Sequence, residues 1–323
     1  MNAHKVAIVL ATYNRASILP LALKSIMTQT YQKWELNIIN DASSDQTQEV
    51  VDRYLDNNRV HYLKNFSNQG MIKSRNAGID HCKAELIFIA EDDVILREGC
   101  LEILVKRFND LKMIGIKNLF CVAPKILSVS SSAQPQNSSQ NEGSWFKLNR
   151  LTGWIYTHYG DKFVETPILP SVGLYDSRLL RKIKHDENYG RNILRSDDDL
   201  HLTARKLGLR LFYEPRAMAM HLGYKSGGNR GVGLSAFFIR GFYIWKNQIR
   251  FTSKFFRIRS IYMNFIFSLV YLIYSCFSAP LVIRRARTVS GEGTQELTSV
   301  QSFRRMYKQI FKKLSPVILK DLE

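Results

Sequence analysis

Three consecutive carboxylates, Glu91, Asp92 and Asp93, interrupt the apolar run ELIFIAEDDVIL between Glu85 and Leu96. Neighbouring acids repel one another and give a strand tip no structural advantage, so their position implies a positive partner. A hard divalent cation, Mg2+ or Mn2+, suits such a tip. It takes few protein carboxylates and completes its shell with phosphate oxygens and water. Held there, it serves as a Lewis acid toward charge developing on a diphosphate leaving group. A second acidic cluster, Asp197–Asp199, stands at the head of a helical pattern, where acids also suit the helix dipole.

The elements that must position these acids follow a regular alternation. Lys5–Ala11 is a continuous β-rich run, fit for a buried parallel strand. Ser17–Thr28 has helical apolar spacing with Ser17 as its N-cap. Residues 35–40 read as a strand, 46–55 as a helix, 60–63 as a short strand, 71–81 as a helix and 86–90 as a strand. Such alternation predicts a doubly wound, mostly parallel α/β sheet with flanking helices. Ligands in these sheets gather beyond the carboxyl ends of the strands. Three of those ends carry polar clusters, at 11–14 (ATYN), 40–45 (NDASSD) and 91–93, and are expected to share one crevice.

Farther along, a helix is expected over 100–111, a strand near 119–127, and a mobile loop over 128–144, whose SVSSSAQPQNSSQNEGS composition cannot bury itself. Order resumes at 168–175, with a helix from Ser177 and another ending at the C-cap Gly208. A strand pair at 209–213 and 217–221 closes the domain. Trp145, Trp154 and Tyr156 read as core aromatics or as a stacking surface for a sugar.

Charge separates the last quarter from the rest. The 323-residue chain carries +18, and from Arg240 onward 15 basic residues face 4 acidic ones, so this tail holds +11. Residues 237–259 are helical in pattern. Residues 261–283 form 23 positions without a charge, long enough to cross a bilayer or to insert shallowly, and 301–322 read as a basic amphipathic helix. A basic, aromatic-rich end predicts an anionic membrane partner. Nucleic acid is not expected, because apolar residues fill much of the basic region and no recognition motif accompanies it. The four cysteines show no CxxC pairing and read as reduced core residues of a cytosolic protein.

Taken in order, VAIVLATYNRASILPLALKSIMTQTYQKWELNIINDASSDQTQEVV, NQGMIKSRNAGI, the acidic triplet, RSDDDLHLTARKLG and PRAMAMH resemble glycosyltransferase family 2, the inverting GT-A enzymes. The resemblance covers roughly residues 5–225 and implies a catalytic domain over 1–233. Within it lie a nucleotide-binding half (1–98) and an acceptor half (99–233), followed by a helical, membrane-associating tail over 234–323.

It also implies roles for particular residues. The Ala11–Tyr13 turn, with Tyr13 as a stacking surface, holds the nucleotide base. Asp41 accepts a hydrogen bond from base or ribose, and Arg75 faces the diphosphate. The family's DxD motif falls on Glu91 and Asp93 with Asp92 between; Asp93 is the metal ligand, and Glu91 departs from the usual Asp. His221 assists the metal. Asp197 is the base that takes the acceptor's proton, with Asp198 as the alternative, and Ser196 stands where the family usually has Glu.

The function this implies is inverting transfer of a sugar from a UDP-, GDP- or dTDP-linked donor to a saccharide or lipid-linked acceptor. Such chemistry belongs to surface polysaccharide or glycan synthesis at the cytoplasmic face of a membrane. Loss of the usual Glu at 196 and Asp at 91 leaves a second reading, a non-catalytic membrane scaffold on a degenerate transferase fold.

Overall fold

The computed structural model describes residues 4–128, 145–149, 154–190, 193–223 and 234–256. The 128–144 loop beyond Ser128, the apolar run 261–283 and the basic segment 301–322 lie outside the described residues.

The chain opens as expected from its apolar runs. Strand β1 (Val6–Thr12) is buried at every position, β2 (Trp34–Asn40) at all but one, and β4 (Leu86–Glu91) at all but its last. Burial on both faces is what a parallel strand sandwiched between helices requires. Between them lie helix α1 (Leu19–Met27), helix α2 (Thr47–Asp52), the short strand β3 (Val60–Lys64) and helix α3 (Met71–His81). Ser17 does not cap α1. The N-cap is Ile18, no side chain caps it, and Pro20 in the first turn sets the helix instead, since proline lacks a donor that would go unsatisfied there.

Then follow strand β5 (Val94–Leu96), helix α4 (Cys100–Met113) and strand β6 (Leu119–Ser128). The hairpin strands β7 (Trp145–Asn149) and β8 (Trp154–His158) pair only with each other, antiparallel. Next come β9 (Val164–Glu165), β10 (Gly173–Asp176), α5 (Ser177–Ile183), α6 (Ser196–Lys206), β11 (Arg210–His221) and α7 (Leu234–Phe255). Asp176 caps α5 by accepting the N–H groups of Arg178 and Leu179.

The main sheet runs β3-β2-β1-β4-β10-β6-β11-β5, with β9 added against β11. The β3-β2-β1-β4 half is parallel throughout. Beyond it the sheet is mixed: β11 runs parallel to β6, whereas β10 runs antiparallel to both β4 and β6, and β5 and β9 run antiparallel to β11. Parallel neighbours need a crossover connection, and the described segment entering β10 carries no helix. The expected strand pair at 209–221 is also one strand. β11 stays beside β6 along its whole length, with a register shift between Glu214 and Met218. Pro215 cannot donate to the ladder there, and the Glu214 carboxylate takes up the Arg216 N–H at 3.1 Å and its guanidinium at 2.9 Å.

Two apolar clusters fill the spaces on either side of this sheet. One centres on Ile8, Leu10, Phe88 and Phe108, the other on Val9, Ile39, Tyr175 and Tyr213. Gly78 lets α3 lie flush on the parallel half: a Cβ there would come within 2.5 Å of Ile39 Cδ1 and 2.7 Å of Val9 Cγ1. That close seating fixes the height of Arg75, nearly one turn earlier. Cys82, Cys100 and Cys121 are buried free thiols, as expected.

Candidate active site

Strand register brings the three polar ends together. Ala11 pairs with Ile39 on one side and with Glu91 on the other, so β1, β2 and β4 finish level. Side chains then lace the ends. Asn14, with φ +51°, receives the Ser44 N–H on its Oδ1 at 2.8 Å and donates its own N–H to Ser43 Oγ at 2.9 Å. Thr12 Oγ1 donates to Asp92 Oδ2 at 2.9 Å. Ala11 is buried and Tyr13 is half-buried beside this lacing.

Asp41 is buried, and three donors converge on it: Asn65 Nδ2 at 2.8 Å and Gln69 N–H at 2.8 Å on Oδ1, and Gly70 N–H at 2.8 Å on Oδ2. It therefore shapes the entry to α3, where Gly70 takes φ +88°. A carboxylate offers about four lone-pair sites, so one remains open for another donor.

The acidic triplet occupies the turn between β4 and β5, and its members point to different partners. Glu91 reaches Arg75 Nη2 at 3.3 Å. Asp92 is buried against Thr12 and lies 3.5 Å from Arg15 Nε; burial pushes its carboxyl up to about 7 despite the opposing guanidinium. Asp93 is buried with Oδ1 3.5 Å from His221 Nε2, while its Oδ2 lies 3.9 Å from Arg15. The antiparallel pairing of His221 with Val94 delivers the imidazole, and the Leu222 N–H closes the corner on the Asp93 carbonyl at 2.9 Å.

One ligand atom from each of Glu91, Asp93 and His221 falls within 4.8 Å of the others, the one such metal-capable group among the described residues. Two hard carboxylates and an imidazole, half-open to solvent, fit Mn2+ or Mg2+ with positions left for phosphate and water.

The second cluster begins α6. Arg195 takes φ +77° at the N-cap, and the helix then turns each acid in a separate direction. Asp197 Oδ1 accepts from Arg75 Nη1 at 3.0 Å, with His185 Nδ1 at 3.8 Å from the same oxygen. Asp198 pairs with Arg195 Nη1 at 2.8 Å. Asp199 is buried, accepting from Tyr189 Oη at 2.9 Å and Lys254 Nζ at 2.6 Å. Burial raises the Asp197 carboxyl to about 7, with Glu91 and Asp198 adding to the rise and Arg75 opposing it. Arg75 is itself 2% exposed, and its guanidinium spans both acidic clusters. The two clusters thus share one cation.

Sequence reading missed Thr12, Arg15 and His185. The first two lie at or beside the quoted ATYN strand end, where the rule for parallel sheets already pointed. No local pattern marks His185, whose ring is 0% exposed. Neither of its nitrogens has a hydrogen-bond partner. Burying an unpaired polar group costs roughly 1–3 kcal/mol.

Helix α7 lies against this second cluster. Besides the Lys254–Asp199 pair, Arg195 Nε donates to Gln248 Oε1 at 2.9 Å and Arg250 Nε to Asp186 Oδ2 at 2.8 Å. It leaves Ile239 and Phe242 exposed. Among the described residues no helix is long and apolar enough to cross a membrane. The side chains of Trp145, Trp154 and Tyr156 lie outside what is described.

The profile of a family described as "Glycosyl transferase family 2" matches residues 7–123. A Campylobacter jejuni GalNAc(5)-diNAcBac-PP-undecaprenol β-1,3-glucosyltransferase is 32% identical over 108 residues, 33% of this chain and 35% of that protein. Poly-β-1,6-N-acetyl-D-glucosamine synthase of Staphylococcus aureus is 22% identical over 224 residues, 67% of this chain and 50% of the synthase. The match to the first of these relatives thus spans about a third of its length.

Among solved structures, S. aureus TarS 1–349 in complex with UDP-GlcNAc aligns with a TM-score of 0.52 and 16% identity, over 78% of this chain and 71% of that one. GalNAc-T7 with UDP, GalNAc and Mn2+ aligns with a TM-score of 0.61 and 14% identity, over 99% and 58%. These likenesses extend the shared fold beyond residues 7–123.

Proposed function

We propose that this chain, a member of glycosyl transferase family 2, transfers a sugar with inversion from a nucleotide-diphosphate donor to a saccharide or lipid-linked acceptor. The observation that carries the reading is Arg75, which ties the candidate metal group at Glu91, Asp93 and His221 to the carboxylate of Asp197. On this reading a leaving-group site and a base site stand on either side of one guanidinium. Relatives named for a lipid-linked glucosyltransferase and a polysaccharide synthase, and neighbours bound to UDP, UDP-GlcNAc and Mn2+, support the same class.

Glu91, Asp93 and His221 would hold Mn2+ or Mg2+, which when bound supplies Lewis-acid neutralisation of the diphosphate. The chain's own groups do the rest. The Ala11–Tyr13 turn and the Tyr13 ring receive the base, and the open lone pair of Asp41 accepts from base or ribose. Arg75 adds positive charge beside the diphosphate. Asp197 removes the acceptor's proton as the acceptor oxygen bonds to C1, while the C1–O bond breaks and its electron pair leaves with the diphosphate. A carboxylate lifted to about 7 can accept a proton near neutral pH, where Asp198, committed to Arg195, is less free.

The catalytic unit is residues 1–233, with 1–98 taking the donor and 99–233 the acceptor; the tail over 234–323 holds the enzyme at the anionic cytoplasmic face of a membrane. Anchoring would place enzyme and lipid-linked acceptor on one surface and raise their effective concentration.

The test is release of UDP from UDP-glucose, UDP-galactose and UDP-N-acetylglucosamine by the full chain, with and without Mn2+. Metal-dependent release that disappears in Asp93→Ala and in Asp197→Asn is expected. Release unaffected by either substitution refutes the assignment, and no release from any donor under any metal condition favours the scaffold reading. Flotation with phosphatidylglycerol vesicles, reduced at high salt, checks the tail.

A further inference from the structure

His185 stands near the start of the connection between α5 and α6, beside the candidate base. Its backbone is clamped from both sides by one side chain of α3: Asn76 Nδ2 donates to the His185 carbonyl at 2.9 Å, and the His185 N–H donates to Asn76 Oδ1 at 3.2 Å. Asn76 follows Arg75, so one turn of α3 aims both the guanidinium and the imidazole at Asp197. Arg75 Nη1 is already bonded to Asp197 Oδ1 at 3.0 Å; His185 Nδ1 stands 3.8 Å from the same oxygen, just outside bonding distance. The ring is fully buried and both its nitrogens lack partners. A buried polar group so clamped and so aimed needs a reason, because native interiors rarely leave one unpaired.

Resting on the assignment of Asp197 as the base, we propose that His185 is a positioning residue which donates its Nδ1–H to Asp197 Oδ1 when the acceptor is bound. The bond fixes the carboxylate plane. Oδ1 is then occupied by Arg75 and His185, and Oδ2 is left to face the acceptor hydroxyl and take its proton. The imidazole itself does not touch substrate and transfers no proton. Its neutrality follows from burial, with Arg75 and His201 adding to the disfavour of a second proton. The other groups near the shared carboxylate are Glu91, Asp198 and Tyr175, none of which pairs with the ring.

Two measurements on the full chain test this. Long-range 1H–15N spectra, with the His185 signal assigned by its loss in His185→Phe, report which ring nitrogen carries the proton. The Nδ1–H tautomer is expected, and an Nε2–H tautomer overturns the proposal, since a lone pair would then face the carboxylate. Kinetics with the UDP-sugar that the wild type turns over fastest supply the second. His185→Phe is expected to lower kcat about 30-fold with KM for the donor within twofold, while His185→Asn, whose amide can occupy the place of Nδ1, restores kcat to within about fivefold of wild type.

Wild-type kcat in His185→Phe overturns the proposal. So do equal losses in both variants accompanied by a lower melting temperature, which would make the residue a packing element only. Asp197→Asn run in parallel separates the two claims. If it keeps its turnover, the base assignment fails; if it is inactive while His185→Phe is normal, the positioning role alone fails.

Discussion

Two acidic triplets meet at the Arg75 guanidinium, and the chain handles them differently. Residues 91–93 occupy a turn between two strands, so the backbone reverses under them. Glu91 goes to Arg75, Asp92 turns inward against Thr12 and Arg15, and Asp93 meets His221. Residues 197–199 begin a helix, where successive side chains are rotated about 100° apart. Asp197 therefore faces Arg75, Asp198 folds back onto Arg195, and Asp199 points inward to Tyr189 and Lys254. In the turn, two of three acids reach one metal-sized space. On the helix, only Asp197 reaches the shared guanidinium of Arg75. Divergent partners for neighbouring carboxylates are thus set by backbone form and not by sequence spacing.

The largest expected effect tests the turn. Asp93→Ala removes a buried carboxylate from the metal group, and release of UDP in the presence of Mn2+ is expected to fall by about 10^3-fold or more, the equivalent of the several kcal/mol that such a cation contributes. Because Asp93 faces the metal group and not the acceptor, the loss should extend to donor hydrolysis without any acceptor present. Next in size is the helix. Asp197→Asn should lower transfer roughly 10^2- to 10^4-fold, the usual worth of a general base, while Asp198→Asn should stay within about fivefold. Equal losses from 197 and 198 would show that the helix does not select one acid as its rotation demands.

Much of this contrast was legible beforehand, and unevenly so. The parallel half announced itself through runs such as VAIVLA and LIFIA, because a strand covered on both faces has no polar positions to blur it. Its strand ends, hence Ala11, Asp41 and the triplet at 91–93, came with it. The mixed half did not. β5 has three residues and β9 two, too few to make a period, and β11 reads as two strands because Pro215 interrupts its pattern. The pairing that unites the site was the least visible of all. Arg75 and Asp197 are 122 residues apart, and nothing local in SRNAG or RSDDD encodes their meeting. Asp41 was expected to bind base or ribose, whereas its three internal bonds to residues 65–70 depend on a loop whose shape no propensity describes.

A smaller effect sharpens the comparison through pH. The Asp197 carboxyl lies near 7, and the base must be ionised to work. kcat/KM should therefore climb about tenfold per pH unit below 7 and level off above it. Arg75 opposes the rise in that value, so Arg75→Lys, which loses the fork that reaches both acids, should move the midpoint to higher pH. It should also lower the plateau by roughly tenfold. A midpoint unmoved by Arg75→Lys would show that the bridge between the two clusters is structural only.

The smallest effect concerns the acid that the helix turns away from the cavity. Asp199 is 2% exposed, and its partner Lys254 comes from α7, so this pair fastens α7 to the start of α6. Lys254→Met removes the charge, and with it the ammonium over the Phe255 ring, leaving Asp199 with Tyr189 and Thr203 alone. Breaking a pair with one buried partner and one half-exposed partner should cost about 1–2 kcal/mol, less than for a fully buried pair because solvent screens the ammonium. Melting should drop by a few degrees. Yet kcat should change less than twofold, because Asp197 keeps Arg75 and the rotation that aims it. A large fall in kcat with an unchanged melting temperature would reverse the argument. It would mean that the acceptor side is held in place from α7, and that the orientation of Asp197 is set by the tail and not by the helix on which it sits.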